Sequence, residues 1–210
     1  MPNGKSKLQW VVAGGALGAA IYAFAVRPWH LRWGATDEEL EMPLPCDEFV
    51  ERPKLNATHA ITINAPTSTV WSWLVQIGQN RAGFYSYTWL ENLVGCRMPN
   101  VNRIVPEWQD LTVGDEVWLH PKAPPLKVLA LEPGRFIALE KCWTFYLCPL
   151  DQRRTRLIVR GRGDYYPDFK SALLNFVYYR ILFEPAHFIM ERKMMLGLKD
   201  RAETTLTGTS

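Results

Sequence analysis

No two of the four cysteines, Cys46, Cys96, Cys142 and Cys148, stand in CxxC spacing. A zinc ribbon or a dithiol redox motif is therefore missing. Cys142 and Cys148 flank a strand-like stretch, but all four are expected to stay reduced and mostly buried, which leans towards a reducing compartment. Charge of one sign is also scarce. The 24 basic and 21 acidic residues are interspersed, for a formal net charge of +3. Nucleic-acid binding needs a concentrated basic stripe, and none is present. No Ser-His-Asp, GxSxG, Walker A, GxGxxG or HExxH pattern occurs, so no nucleotide or zinc-protease chemistry is written in the chain and no cofactor is expected. Disorder bias is absent too: 48% of residues are hydrophobic and 12% aromatic.

What is present begins with an apolar run. Leu8 to Val26 holds no charged residue, long enough to cross a hydrocarbon core as a helix. Lys5 and Lys7 precede it; Arg27, His30 and Arg32 follow, with Trp10, Trp29 and Trp33 near the two ends. Charged flanks and boundary tryptophans suit a membrane-spanning anchor. A signal peptide cleaved after Ala23-Phe24-Ala25 is the rival reading, although Pro28 sits close to the cut. A core helix is the third, but nothing nearby offers it a partner face. Gly14 and Gly18 form a GxxxG pair that allows close helix–helix association in lipid. Charge is nearly equal on both sides of the run, so the side of the soluble part is undecided.

Five stretches follow from this: a flank over 1–7, an anchor over 8–26, a tether over 27–56, a domain over 57–203 and a tail over 204–210. In the tether, Thr36 to Leu40 reads as a capped helical turn, with Thr36 as N-cap and Glu39 closing the box. The tether should pack along the domain, since Trp29, Trp33, Leu44, Phe49 and Val50 would otherwise be exposed. Thr58 to Asn64 alternates as a strand. Helices are expected from Pro66 to Ile77 and from Tyr87 to Val94, the second stopped by Gly95. A β-meander follows: Val117–Leu119, Leu126–Leu131, Arg135–Glu140, Trp143–Leu147 and Thr155–Arg160, with Pro133-Gly134 at the centre of a type II turn. A helix from about Asp168 to Glu203 ends the domain, interrupted or kinked at Pro185. A curved antiparallel sheet around a long C-terminal helix leaves space for an apolar ligand.

This order, with the opening Ala60-Ile61-Thr62-Ile63-Asn64-Ala65-Pro66 and a following helix that carries Trp71, resembles the START/Bet v 1-like superfamily, also called SRPBCC or polyketide cyclase/dehydrase-like. Gly83–Leu93 and Arg103–Gln109 look like a bacterial subgroup with hydrophobic N-termini. The likeness covers Thr58–Glu203, about two thirds of the chain. It implies an α+β helix-grip fold and, for an anchored bacterial chain, an inner-membrane location. It implies function weakly, because the superfamily spans carriers, receptors and cyclases.

Three groups of residues could carry chemistry. Glu184, His187 and Glu191 share one helical face. Their expected role is a hydrogen-bonded trio at a surface or cavity edge; an acid–base role is the sharper alternative, and a di-iron reading lacks the second ExxH. Trp71, Tyr85, Tyr87, Trp89, Arg103, Glu107 and Trp108 should border the cavity mouth and orient a ligand, unless Arg103 and Glu107 pair with each other. Phe176, Tyr179 and Phe183 should line the cavity from the C-terminal helix. Arg154, Arg156, Arg160 and Arg162 share strand parity and should face solvent, or anionic lipid headgroups. His59 and His120 are expected to be structural or exposed. The leading expectation is a membrane-anchored carrier of a hydrophobic small molecule or lipid. A cyclase- or dehydratase-type enzyme using His187 and a non-catalytic module of a membrane complex are the alternatives.

Overall fold

Alternating apolar residues and Gly- or Pro-bearing turns produce the sheet where the pattern places it. The computed structural model describes all residues except 1–3, 46, 52, 94, 164–168 and 208–210. Six strands form one sheet: β1 (Leu55–Ile63), β2 (Glu116–Val117), β3 (Leu126–Glu132), β4 (Phe136–Leu139), β5 (Trp143–Pro149) and β6 (Thr155–Gly163), in the order β1-β6-β5-β4-β3-β2. Every neighbouring pair is antiparallel. Between β3 and β4 the Arg135 amide donates to the Glu132 carbonyl at 3.0 Å while Gly134 takes φ +76, as a type II turn requires.

The N-terminal helix α1 (Gly4–Ile21) runs through a π-helical stretch, Tyr22–Val26, into α2 (Arg27–Leu31). The span Gln9–Leu31 is long and apolar enough to cross a membrane. Extra methyl groups at Gly14, Gly15 or Gly18 would meet nothing, so that helix face is open. Then come α3 (Asp37–Glu41), α4 (Thr67–Leu74) and α5 (Thr88–Leu93). The Thr36–Glu39 capping box closes α3 in both directions. The C-terminal helix begins as α6 (Ala172–Asn175), continues as a π-helical stretch, Phe176–Phe183, and ends as α7 (Glu184–Thr207). Both π stretches end just before a proline, Pro28 and Pro185. Proline lacks the N–H for the ordinary bond and crowds the carbonyl four residues back, and a widened turn relieves both problems. The expected break at Pro185 is thus a change of winding within a continuing helix.

The inner face of the sheet packs on α4 and α7 around Ile63, Leu74, Phe145, Leu157, Met195 and Leu198, all buried. An open apolar cavity was expected there. Two depressions lined by described residues lie on the surface, at the Asp151–Arg154 hairpin and beside Trp73 and Arg201. Among the described residues, Tyr85 and Met195 are buried side chains of this core.

The arginines of β6 also depart from expectation. They lie on the outer face, but residues 32–50 cover that face. Arg160 is buried and donates to the carbonyls of Met42, Glu39 and Leu40, to Asp47 Oδ2 at 2.6 Å and to Thr58 Oγ1. Arg156 holds Glu39 through two bonds, at 2.7 and 2.8 Å, and reaches the Gly34 carbonyl. Arg162 pairs with Asp47 at 3.3 Å. Only Arg154, ion-paired to Asp151 in the hairpin, is solvated as expected. Five donors on a flat fork match several carbonyls at once, which a surface arginine never needs. Of the tether's apolar residues, Leu44 is buried against Ala60 and Ile158, whereas Trp29 and Phe49 stay exposed.

The edge of β1 is closed as well. The Ala60 amide donates to the Trp33 carbonyl at 3.1 Å, and Lys199 Nζ reaches the Thr62 carbonyl at 2.8 Å. Gly34 at φ +72 makes this approach possible, since a Cβ there would sit 2.2 Å from the Ala60 oxygen. Cys142 and Cys148 form no disulfide with each other; Cys46 lies outside the described residues, as does Asp168, the expected helix start.

Gly197 makes a second close approach, inside α7. A Cβ there would lie 2.2 Å from the Tyr85 carbonyl oxygen. Glycine to alanine in a helix interior ordinarily stabilises by about 0.5–1 kcal/mol. Here the clash reverses the sign, and Gly197→Ala should destabilise by about 1–3 kcal/mol. Urea unfolding of the two chains in mild detergent measures it; a stabilised variant would show that α7 and the Tyr85 loop do not touch.

Candidate functional site

The strongest concentration of chemistry lies where the first turns of α7 meet the sheet and α2. Three glutamate and histidine side chains leave α7 on one face, but they are not a trio. Glu184 is buried and accepts two bonds from Arg27 of α2, Nε to Oε2 at 2.7 Å and Nη2 to Oε1 at 3.0 Å. Glu191, two turns on, points into the sheet and is fully enclosed. Its Oε1 lies 2.5 Å from His59 Nδ1, its Oε2 accepts from Trp143 Nε1 at 2.8 Å, and His187 Nε2 stands 3.7 Å from Oε2. His59 Nε2 lies 2.7 Å from the carbonyl of His30.

The protonation state follows from these partners. A carbonyl only accepts, so His59 Nε2 must carry a proton. The ionised Glu191 also only accepts, so Nδ1 must carry one too. With Glu191 ionised, His59 is an imidazolium set against a carboxylate. Burial works against its charge, but the Glu191 carboxylate and the His30 carbonyl raise the His59 pKa overall. Burial likewise opposes the charge on Glu191, yet His187, His59 and the Trp143 N–H outweigh it and hold the carboxyl below its usual range.

Aromatic rings continue from this cluster in two directions. Towards the core, Trp143 lies 4.7 Å from Phe145 and 6.1 Å from Phe84, centroid to centroid. Towards the surface, Trp143 approaches the His187 ring at 6.5 Å, His187 stacks on Phe183 at 5.8 Å, and Phe183 meets Tyr179 at 5.9 Å. The series runs from buried Phe145 to half-exposed Phe183. His187 keeps 30% of its side chain exposed and is the one member able to present a titratable nitrogen to an incoming molecule.

The remaining expected site residues fall elsewhere. Tyr85 is a core residue: its hydroxyl donates to the Trp73 carbonyl at 3.0 Å and accepts from Gln76 at 2.9 Å, and Arg201 covers its ring at 4.4 Å. Burial pushes its pKa up to about 12. Trp71 and Trp108 are half-buried against the core. Tyr87 packs beside exposed Trp89 and under Lys193. Arg103 and Glu107 are both exposed and do not pair with each other; the Arg103 carbonyl instead accepts from Gln76. Tyr179 is buried among Phe169, Tyr178 and Phe183, and Phe176 is exposed. Sequence reasoning passed over His59, Trp143 and Arg27. For His59 a signal existed: it shares inward parity with Ile61 and Ile63, and an inward-facing histidine needs a buried partner.

The His59–Glu191 pair makes stability depend on pH. A raised histidine pKa contributes stability that is full below the unfolded value of 6.5 and is lost as pH climbs through the folded value. The lowered Glu191 contributes above 4.5 and is lost as pH falls through its folded value. Denaturation of the full chain in mild detergent should therefore show highest stability between these limits and a decline on the alkaline side. Glu191→Gln removes the charge that raises the His59 pKa, so His59 turns neutral and the alkaline decline should disappear, with a loss of about 3–5 kcal/mol for breaking the buried pair. A decline of equal size in the variant would assign it to other groups.

No family model matches the chain, and no curated protein matches it. Among solved structures it is similar to a protein from Mesorhizobium loti, at 17% identity over 71% of this chain and 98% of the other, with a TM-score of 0.38. A protein from Chromobacterium violaceum aligns at 14% identity over 70% of this chain and 96% of the other, also at 0.38. A polyketide-cyclase-like protein from Corynebacterium glutamicum aligns at 17% over 70% and 86%, at 0.30. Its own strand order and its long terminal helix against the sheet make this chain an α+β helix-grip protein.

Proposed function

We propose that the chain is a membrane-anchored binding or carrier protein for a hydrophobic small molecule or lipid, which it takes at the end of the grip beside α2. The series of rings from Phe145 through Trp143 and His187 to Phe183 carries this reading. It offers an apolar molecule continuous aromatic surface from the exposed helix inwards, with one polar nitrogen, on His187, to receive its head group. The exposed end of the series, at His187 and Phe183, puts the entry point for the ligand at the rim. The apolar span Gln9–Leu31 supports anchoring, in a bacterial inner membrane on the resemblance of the sequence.

A second reading has its own support. Glu191 Oε2 stands 3.7 Å behind His187 Nε2, close enough to orient the ring. That is the arrangement a general base of a cyclase- or dehydratase-type enzyme needs. Turnover of a hydrophobic hydroxy- or ketone-bearing substrate that disappears in His187→Ala would favour it over simple carriage.

Native mass spectrometry of the full chain from a bacterial host, released from mild detergent, tests the carrier reading by the mass of any retained apolar molecule. Phe183 is half-exposed, so its truncation loses little packing. Phe183→Ala should weaken binding of a fluorescent fatty-acid probe several-fold while the unfolding midpoint moves little. Unchanged probe affinity in both Phe183→Ala and His187→Ala would remove the reading and leave a non-catalytic interaction module.

A further inference from the structure

The chain exposes a second apolar surface beside the candidate anchor. Leu173, Leu174, Phe176, Val177, Ile181, Leu182 and Phe183 are between 39% and 69% exposed. From Leu173 to Phe183 the only charged residue is Arg180. Contiguous apolar surface of this extent on a helix normally meets a partner.

The direction of the two helices shows which partner. The Tyr22 hydroxyl donates to the Arg180 carbonyl, across a sequence separation of 158. Arg27 binds Glu184 across a separation of 157. His30 and Trp29 both pack on Phe188, at 5.5 and 5.4 Å. A separation that stays constant from contact to contact means the two helices run parallel. Followed backwards from Arg27 and Glu184, both leave the domain on the same side. Whatever layer receives the N-terminal span therefore also lies against Leu173–Phe183.

We infer that Leu173–Phe183 is a second membrane-contacting element, embedded in the bilayer beside the N-terminal anchor. Its occupant is lipid acyl chain, as a helix with one charge in eleven residues requires. The half-buried Arg180 has a long stem that lets its charge reach the headgroup layer. Exposed aromatics Phe176 and Tyr178 suit the boundary region. The inference rests on the anchored reading and deepens it: it places the rim formed by Phe183 and His187 at the membrane surface, so that an apolar ligand would enter from the bilayer and not from water.

Photocrosslinking of the full chain in phosphatidylcholine–phosphatidylglycerol liposomes tests this, with a benzophenone amino acid placed singly at Leu17, Leu150, Leu174 or Leu182. Leu150 is exposed in the β5–β6 hairpin, at the far end of those strands from Trp143 and Gly163, and serves as the aqueous control. Lipid adducts at Leu174 and Leu182 are expected several-fold above those at Leu150 and comparable to those at Leu17. Adducts at Leu17 with none at Leu174 and Leu182 would overturn the inference and leave the anchor standing. Adducts at Leu174 and Leu182 without Leu17 would overturn the anchored reading and, with it, the placement of Leu173–Phe183 beside an anchor. Protein–protein adducts in place of lipid adducts at Leu174 and Leu182 would overturn it in favour of a second copy or a partner helix.

Discussion

A carboxylate taken out of water has to be balanced, and the Glu191 carboxylate organises this protein around that requirement. Its two oxygens collect a charge from His59 on β1, an N–H from Trp143 on β5 and a nearby ring from His187. Each comes from a different segment, so the helix, both of these strands and, through the His30 carbonyl, α2 are fixed relative to one atom group. Hydrophobic burial supplies most of the folding free energy but has no direction. The ionic cluster supplies direction: α7 can slide by a turn on an apolar sheet face, but not without stranding a buried charge.

The same division of labour appears on the outer face. Ile158, Ala60 and Leu44 give a small apolar contact, and Arg160 and Arg156 then fix the covering segment through its own carbonyls. Outside α3 and the turn at Asp47–Phe49, the described residues of 32–50 lie in no helix or strand, and their backbone groups would otherwise depend on water. What reads as a tether is thus a third layer of the domain, held by side chains from the sheet it covers.

How much of this was legible in the sequence follows from the range of each interaction. The strands, the Pro133-Gly134 turn and the Thr36–Glu39 box depend on residues within a few positions of one another, so pattern reading found them. The parity of β6 correctly put the arginines opposite Leu157 and Val159, but parity says nothing about what lies over a face. Arg160 finds its partners about 120 residues away. The space inside the grip is illegible for a related reason: alternation assigns side chains to the inner face, but how far they fill it depends on volumes contributed by Tyr85 and Met195 from distant segments. Of the candidate site, His187 and Glu191 were found because helical spacing is local. Strand parity pointed His59 inwards without naming its partner, and Trp143 and Arg27 needed the fold.

The bidentate contact between Arg27 and Glu184 has a consequence for how the chain is made. Arg27 leaves the ribosome 157 residues before the carboxylate that neutralises it. At about 5–20 residues per second this is on the order of ten seconds or more, far longer than a helix needs to form. His59 waits in the same way for Glu191, across 132 residues. Strands β2 to β6 can pair in succession as they emerge, whereas β1 waits for β6, and the N-terminal helix gains its Glu184 partner only when the last helix arrives. Closure of the two ends is therefore the late, long-range step of folding. A nascent chain stalled before Glu184 would carry the sheet and its covering segment but lack the carboxylates that seat Arg27 and His59.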